Sequence, residues 1–217
     1  MKKILFHIFL WVLVVYNSLA YADGWTPLQV SIWPPVQLFS ESRDVYGLRL
    51  NFLYGKNQNI SGVDFGVFNG GSEIQRGVAF GLINFPKSAR GLDVGMLNYA
   101  HDVKGAQIGA ISAVEASIAG IQAGFISNSC EQMTGGQFVF GFNSADALGG
   151  IQFGALNFVS GDARGVQVGI WNTAGDAYGV QVGLINFCNK MYGIQVGLLN
   201  SILRQTPPFM PILNVGF

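Results

Sequence analysis

The chain has 217 residues, of which 30 are glycine, 50% are apolar and only 11% are charged, and its formal net charge is zero. These values exclude a basic nucleic-acid-binding protein and an acidic disordered tail, and the two cysteines are too few for a disulfide-dense miniprotein. Glycine is present at about twice its usual share, which suits neither an ordinary helical domain nor, without a collagen repeat, a fibrous protein.

Residues 1–22 have the features of a secretory signal peptide. Lys2 and Lys3 precede an apolar run over residues 4–15, and a small-x-small cleavage site ends at Ala22. The run is shorter than the ~20 residues of a membrane-spanning helix, so we interpret it as a cleaved signal rather than an anchor. The sequence therefore predicts an exported protein located in the periplasm, the outer membrane or at the cell surface, and it leaves membrane association open.

A tandem repeat fills most of the remaining chain. From Gly47 onward the pattern Gly-apolar-x-apolar-Gly-apolar-apolar-Asn recurs, and its first glycine returns every 14 or 15 residues up to Gly193. Residues 27–33 form an atypical earlier copy, and counting back from Asn214 gives a degenerate last copy. We predict an N-terminal cap over 23–46, the repeat array over 47–206 and a C-terminal cap over 207–217.

The alternation within each copy predicts a β-strand. The residue that follows the first glycine and the residue two positions after it are both apolar, so we expect the two to form the buried face. The residue between them is polar and is expected to face solvent: Arg49, Asp64 and Asp93 in early copies, and glutamine in later ones. The candidate interaction face therefore consists of Gln107, Gln122, Gln152, Gln167, Gln181 and Gln195.

The second half of each copy predicts a corner and a turn. The second glycine permits a corner or a close backbone approach, and the asparagine that follows is expected in a turn, where left-handed geometry suits it. Ser112 and Ser127 take the asparagine position in two copies. Residues 135–143 contain one extra residue, which predicts a tolerated β-bulge.

Two architectures fit a unit of this length. The first is a β-solenoid of about 12 coils, in which equivalent residues stack at the ~4.8 Å strand spacing. The alternative is an outer-membrane antiparallel β-barrel, a small pore or an anchor, with one strand per repeat; the terminal Phe217 supports it. The solenoid is favoured because all connections are equally short and because Pro208 and Pro211 would interrupt a closing strand. A barrel would also direct a basic column towards lipid: Arg76, Arg90, Lys104 and Arg164.

Residues for catalysis and metal binding are sparse. His101 is the only histidine after the signal, and we interpret it as a solvated turn residue. Cys130 and Cys188 lie four repeats apart, ~19 Å in a solenoid, so we predict two free, partly buried thiols. Neither cysteine has metal-ligand spacing, and no phosphate-binding loop occurs. The sequence predicts no enzyme activity, no cofactor and no nucleic-acid partner.

The repeat resembles a family of bacterial surface-repeat proteins with tandem Gly-Val-Gln-Val-Gly-Leu-Ile-Asn units. The clearest copies occupy residues 179–186 and 193–200, and the similarity extends over about residues 27–217. The resemblance implies an exported envelope or surface location and brings no catalytic residues. Together these patterns predict an envelope structural or interaction protein whose partner is an unidentified envelope protein or glycan.

Overall fold

The computed structural model describes residues 24–217, so the predicted signal peptide lies outside the described residues. All regular structure in this part of the chain is β-strand. The strands are β1 (Trp25–Trp33), β2 (Val36–Gln37), β3 (Asp44–Gly55), β4 (Asn59–Gly70), β5 (Ile74–Phe80), β6 (Ile83–Phe85), β7 (Ser88–Val94), β8 (Leu97–Val139), β9 (Phe142–Phe153), β10 (Leu156–Val168), β11 (Trp171–Val182), β12 (Ile185–Ile202) and β13 (Phe209–Gly216).

The strands wind into a parallel β-solenoid whose coils are the repeats. Gly165 pairs with Gly150 on one side and with Gly179 on the other, so residues 14 or 15 apart lie in register. Eleven first glycines between Gly47 and Gly193 mark eleven coils, a rod ~48 Å long at the strand spacing. The parallel pairing confirms the solenoid and rules out the antiparallel barrel.

The two ends differ from each other. At the N-terminus, β1 adds a parallel coil with Gln29 beside Arg49, as predicted, and β2 folds back antiparallel on it. At the C-terminus, β13 runs antiparallel to β12, with Gly216 beside Gly193. The segment predicted as a degenerate twelfth coil is therefore a returning strand, because the chain reverses direction after β12.

The first glycine of each coil has a backbone conformation that other residues avoid. Its φ lies between 132° and 147° in ten of the eleven coils and is 112° at Gly77. A Cβ atom on Gly165 would overlap the carbonyl oxygen of Gly150, and the same overlap recurs along the column. Glycine is needed here because both the φ angle and the approach of successive coils exclude a side chain.

The interior of the coils is half polar, and the predicted orientation of the first strand is reversed. The glutamines between the apolar residues are buried rather than solvent-facing, and their amides hydrogen-bond from coil to coil. The candidate interaction face is therefore wrong for all six members: Gln107, Gln122, Gln152, Gln167, Gln181 and Gln195 are each at most 1% exposed.

The buried glutamines form one hydrogen-bonded ladder, which we call the Gln column. The Nε2 of Gln167 donates to Oε1 of Gln152 at 2.8 Å, and Gln181 donates in turn to Gln167 at 2.7 Å. The second N–H of Gln167 reaches the backbone carbonyl of Thr173 at 3.2 Å. Because both amide atoms find partners at the coil spacing, burial of these side chains carries little desolvation cost.

The asparagines form a second ladder, the Asn column, inside the strands rather than in turns. Asn157 donates to Asn172 at 2.8 Å and also to the backbone carbonyl of Val168 at 2.8 Å. Its side chain thus holds the inward bend at the second glycine of the next coil. The predicted left-handed asparagine conformation is wrong, because the one non-glycine residue with positive φ among residues 24–217 is Ile212.

Small apolar residues fill the remaining interior. They occupy the position two residues after each Asn-column member and the position two residues before each first glycine. The resulting apolar cluster contains Ala89, Ala100, Val103, Val114, Ile118, Cys130, Met133, Ala145, Leu148, Val159, Ala163, Ala174, Ala177, Cys188, Met191 and Ile202. The core is therefore a narrow strip beside two amide ladders, and most large apolar side chains lie outside it.

Candidate functional site

The largest unexplained feature of the described surface is its apolar character. We number the positions of a coil from its first glycine and align the coils by their pairing. The apolar surface consists of positions two, four, six, seven and nine of the nine coils that begin at Gly77 through Gly193. In the coil that begins at Gly179 these positions are Val180, Val182, Leu184, Ile185 and Phe187. None of these positions carries a charged residue. Apart from Ser127 and Gly136, the side chains are exposed or half-buried. Leu184 is 52% exposed and Val182 38%.

Two shallow grooves run along this surface beside the second glycines. The first has a volume of about 930 Å³ and extends from Leu50 to Phe125. The second has a volume of about 660 Å³ and extends from Val139 to Ile212. The second glycines form the floor of both grooves. A side chain is excluded there: a Cβ at Gly169, for example, would overlap the carbonyl oxygen of Gly154 and the amide of Asn157. The apolar side chains on either side of these glycines form the walls.

A double bulge separates the two grooves. The extra residue predicted in residues 135–143 is present, and a second extra residue lies in the coil before it, because Asn128 rather than Ser127 pairs with Asn143. Phe125 and Phe140 project outward there, with ring centroids 5.4 Å apart. Phe140 is 78% exposed. The bulge thus places two aromatic rings at the middle of the apolar surface.

Charged residues lie on the remaining side, which we call the charged edge: the residues between position nine and the next first glycine. Acidic and basic side chains pair there along the rod, as in Lys87 with Glu73 at 2.8 Å and Lys190 with Asp176 at 3.5 Å. These pairs are solvent-exposed and contribute little to stability. The charged edge is therefore an ordinary solvated surface over most of its length.

The basic column immediately before the first glycines is an exception in three of its four members, since only Arg164 is paired, with Asp162 at 3.2 Å. Arg76, Arg90 and Lys104 stack directly on one another in successive coils and are all exposed. Within residues 24–217 the structure records no ion pair for any of the three. Three adjacent cations at the ~4.8 Å strand spacing repel one another. They border position two of the apolar surface, so positive charge lines one side of it.

His101 lies in β8 rather than in a turn and is solvated as expected. Its Nδ1 is 3.0 Å from Glu115 Oε2, and Tyr99 also donates a hydrogen bond to Glu115. Both hydrogen bonds lower the pKa of Glu115, and the bond from Tyr99 has the larger effect. The nearby hydroxyl of Ser117 donates to Asp102 at 2.9 Å. This exposed polar cluster thus provides no serine activated by His101.

The early members of the Gln column hold charges in the interior. Arg49 and Asp64 are fully buried and paired, with Nε 2.9 Å from Oδ1. Asp93 is 2% exposed, and its Oδ1 accepts a hydrogen bond from Gln75 at 3.0 Å. Burial, reinforced by the charge of Asp64, raises the pKa of Asp93 to about 7. These residues were predicted to face solvent and instead lie in the interior, at the position that glutamine takes in later coils, with Ala79 between Asp64 and Asp93.

The raised pKa of Asp93 predicts a pH-dependent stability. Because the folded carboxyl binds its proton more tightly than the unfolded one, stability is highest below the ordinary aspartate pKa of 3.8 and falls as pH rises to about 7. The loss attributable to this group is about 4 kcal/mol. We expect Asp93→Asn to remove this dependence, so that its melting temperature exceeds that of wild type increasingly from pH 5 to pH 8. Equal differences at both pH values would contradict the buried carboxyl.

Both cysteines are free and buried, as predicted. Burial raises the pKa of Cys130 and of Cys188 to about 12. Since the thiolate is the reactive form, we expect a maleimide to label neither residue within an hour at pH 7 and to label both after unfolding in guanidinium. Mass spectrometry of the labelled protein measures this, and rapid labelling of the folded chain would contradict the burial.

Comparisons with known proteins supply no relatives: no family model, no curated protein and no solved structure matches this chain. Among residues 24–217, no helix is long and apolar enough to cross a membrane. The same residues contain no group of three or more histidine, cysteine, aspartate or glutamate side chains placed to hold a metal ion. The apolar surface, its grooves and the basic column are therefore the features on which a function can be argued.

Proposed function

We propose that the protein is an exported, non-catalytic structural or interaction protein of the bacterial cell envelope or surface, attached to another envelope component through the apolar surface. One observation carries the proposal: the uncharged positions run without interruption over nine coils, ~38 Å at the strand spacing. Soluble monomers rarely expose a continuous apolar patch of more than a few hundred Å², and larger ones mark interaction or membrane sites.

Two further features support this proposal. The predicted signal peptide over residues 1–22 directs the chain out of the cytoplasm, and the repeat resembles bacterial surface-repeat proteins. The coils also form a regular rod whose interior is occupied by ladders rather than by a cavity, which suits a structural element better than a container. The partner is an envelope protein, a glycan or the membrane itself.

Fractionation of cells that express the full 217-residue chain tests the location. We expect the protein in the envelope or periplasmic fraction, with Asp23 as its first residue on N-terminal sequencing. Ala22→Lys serves as the matched control, because it blocks cleavage and leaves the repeat array unchanged. Wild-type protein that stays in the cytoplasm with Met1 intact would overturn the proposal.

A further inference from the structure

We propose that the envelope component bound by the apolar surface is a lipid bilayer with anionic headgroups, and that the rod lies partly immersed along its surface. This inference rests on the proposed function and names the partner. The uncharged positions lie within a span of eight residues, from position two to position nine, of each 14- or 15-residue coil, and the bend at the second glycine places them on more than one side of the rod. A single protein partner with a flat interface would cover one side, whereas a fluid hydrocarbon layer can contact all of them.

The backbone of the solenoid is suited to contact with hydrocarbon. Unpaired backbone N–H and C=O groups are too costly to expose to lipid, so a membrane-immersed structure must satisfy them internally. In this fold each coil pairs with the next, including at the bends, where Gly169 N donates to Val182 O at 2.9 Å. Most polar atoms of the Gln and Asn columns are likewise paired inside. The apolar surface therefore presents mainly side-chain hydrocarbon, and its polar members at position nine are Ser129, Ser144, Thr173 and Ser201.

Charge complementarity identifies the headgroups. Arg76, Arg90 and Lys104 are unpaired among the described residues, exposed and adjacent to the apolar surface. A rod immersed through its apolar surface would hold this basic column at the depth of the phosphate groups, where anionic lipids relieve the mutual repulsion. Tyr178 and Tyr192 occupy the same position in two later coils, and tyrosine is enriched at this depth of membranes.

Vesicle flotation tests the proposal on protein purified from cells expressing the full chain. The vesicles contain either phosphatidylcholine alone or phosphatidylcholine with phosphatidylglycerol. We expect binding to both, with stronger binding to the anionic vesicles at low salt. Trp171, at position seven, should show a blue-shifted emission on binding and quenching by brominated lipid, and a Trp171→Phe variant identifies its share of the signal. Wild-type protein that floats with neither vesicle overturns the proposal.

Two variants separate the apolar and the charged contributions. Arg76→Gln/Arg90→Gln/Lys104→Gln should weaken binding to anionic vesicles by about 100-fold and leave binding to neutral vesicles unchanged. The matched control removes the same charge from the paired residues Lys56, Lys87 and Lys190. It should bind as wild type does, and equal losses in the two triple variants would overturn the assigned headgroup contact.

The second variant is Val166→Thr/Val168→Thr/Val180→Thr/Val182→Thr, which changes polarity at nearly constant shape and β-propensity. We expect an unchanged circular dichroism spectrum and at least a 10-fold loss of binding to both vesicle types. A vesicle-free wild-type dimer that this variant dissociates would instead assign the apolar surface to a second copy and overturn the lipid proposal. Either result is independent of the cellular location, so failure here is distinguishable from failure of the proposed function.

Discussion

Gly150→Ala is expected to lower the free energy of unfolding by about 4 kcal/mol, because alanine is excluded there both by backbone conformation and by space. The φ of Gly150 is 143°, and a Cβ would overlap the carbonyl oxygen of Gly135. That oxygen belongs to the backbone of the preceding coil, so it cannot move aside without disturbing the coil pairing. Chemical unfolding followed by circular dichroism measures the effect.

Gly149→Ala is the matched control, one residue earlier in the same strand. Gly149 has no positive φ, and the nearest atom to its Cβ would be the carbonyl oxygen of Met133 at an ordinary 3.6 Å. Alanine there should be neutral or stabilise by up to about 1 kcal/mol, since it restricts the unfolded chain. If both variants unfolded at the same denaturant concentration, the requirement for glycine at the first position of each coil would be contradicted.

The repeat spacing was sufficient to predict the register of the solenoid. Equivalent residues of a parallel solenoid must stack, so the recurrence of Gly165 and Gly179 at 14 or 15 residues states which backbone atoms pair. The ladders of glutamine and asparagine are a consequence of the same stacking. The C-terminal reversal could not be predicted, because the spacing of Pro207 and Pro211 resembles that of the two glycines and carries no information on strand direction.

The orientation of the first strand was predicted wrongly for an identifiable physical reason. Alternation shows that Val166 and Val168 share one face and that Gln167 lies on the other, but it does not show which face is inside. The usual assumption that the apolar face is buried fails when stacked amides can form a ladder in the interior. A signal was present: Arg164 has the same parity as Val166, so burial of that face would also direct a basic side chain inward.

The apolar surface was missed as a consequence of that reversal. The Gln column, proposed as the interaction face, is interior, and the columns assigned to the core form the apolar surface. The sequence predicted one of the two bulges, because the coil containing Phe140 has a visible extra residue. It did not predict the bulge in the preceding coil, since Ser127 occupies the expected place of asparagine although Asn128 is the residue that pairs with Asn143. Pairing between coils, which sequence alone does not give, resolves this ambiguity.

Arg49→Met is expected to lower the free energy of unfolding by about 3–5 kcal/mol, the cost of leaving one buried charge without its partner. Arg49 donates to both carboxylate oxygens of Asp64, and both side chains are fully buried. Asn51 remains as one donor to Asp64 at 2.9 Å, which cannot neutralise the charge. Chemical unfolding of the variant and of wild type at pH 7 measures the loss.

The double variant Arg49→Gln/Asp64→Gln should restore stability to within about 1 kcal/mol of wild type, because replacing a buried ion pair as a whole avoids the unpaired charge. Residues 49 and 64 occupy the same column and the same 15-residue spacing as Gln152 and Gln167, whose amides are 2.8 Å apart. Two glutamines there would therefore form with each other the hydrogen bond that the later coils already use. A double variant as unstable as Arg49→Met would show that the early coils require the charges themselves, and that the ion pair and the amide ladder are not interchangeable.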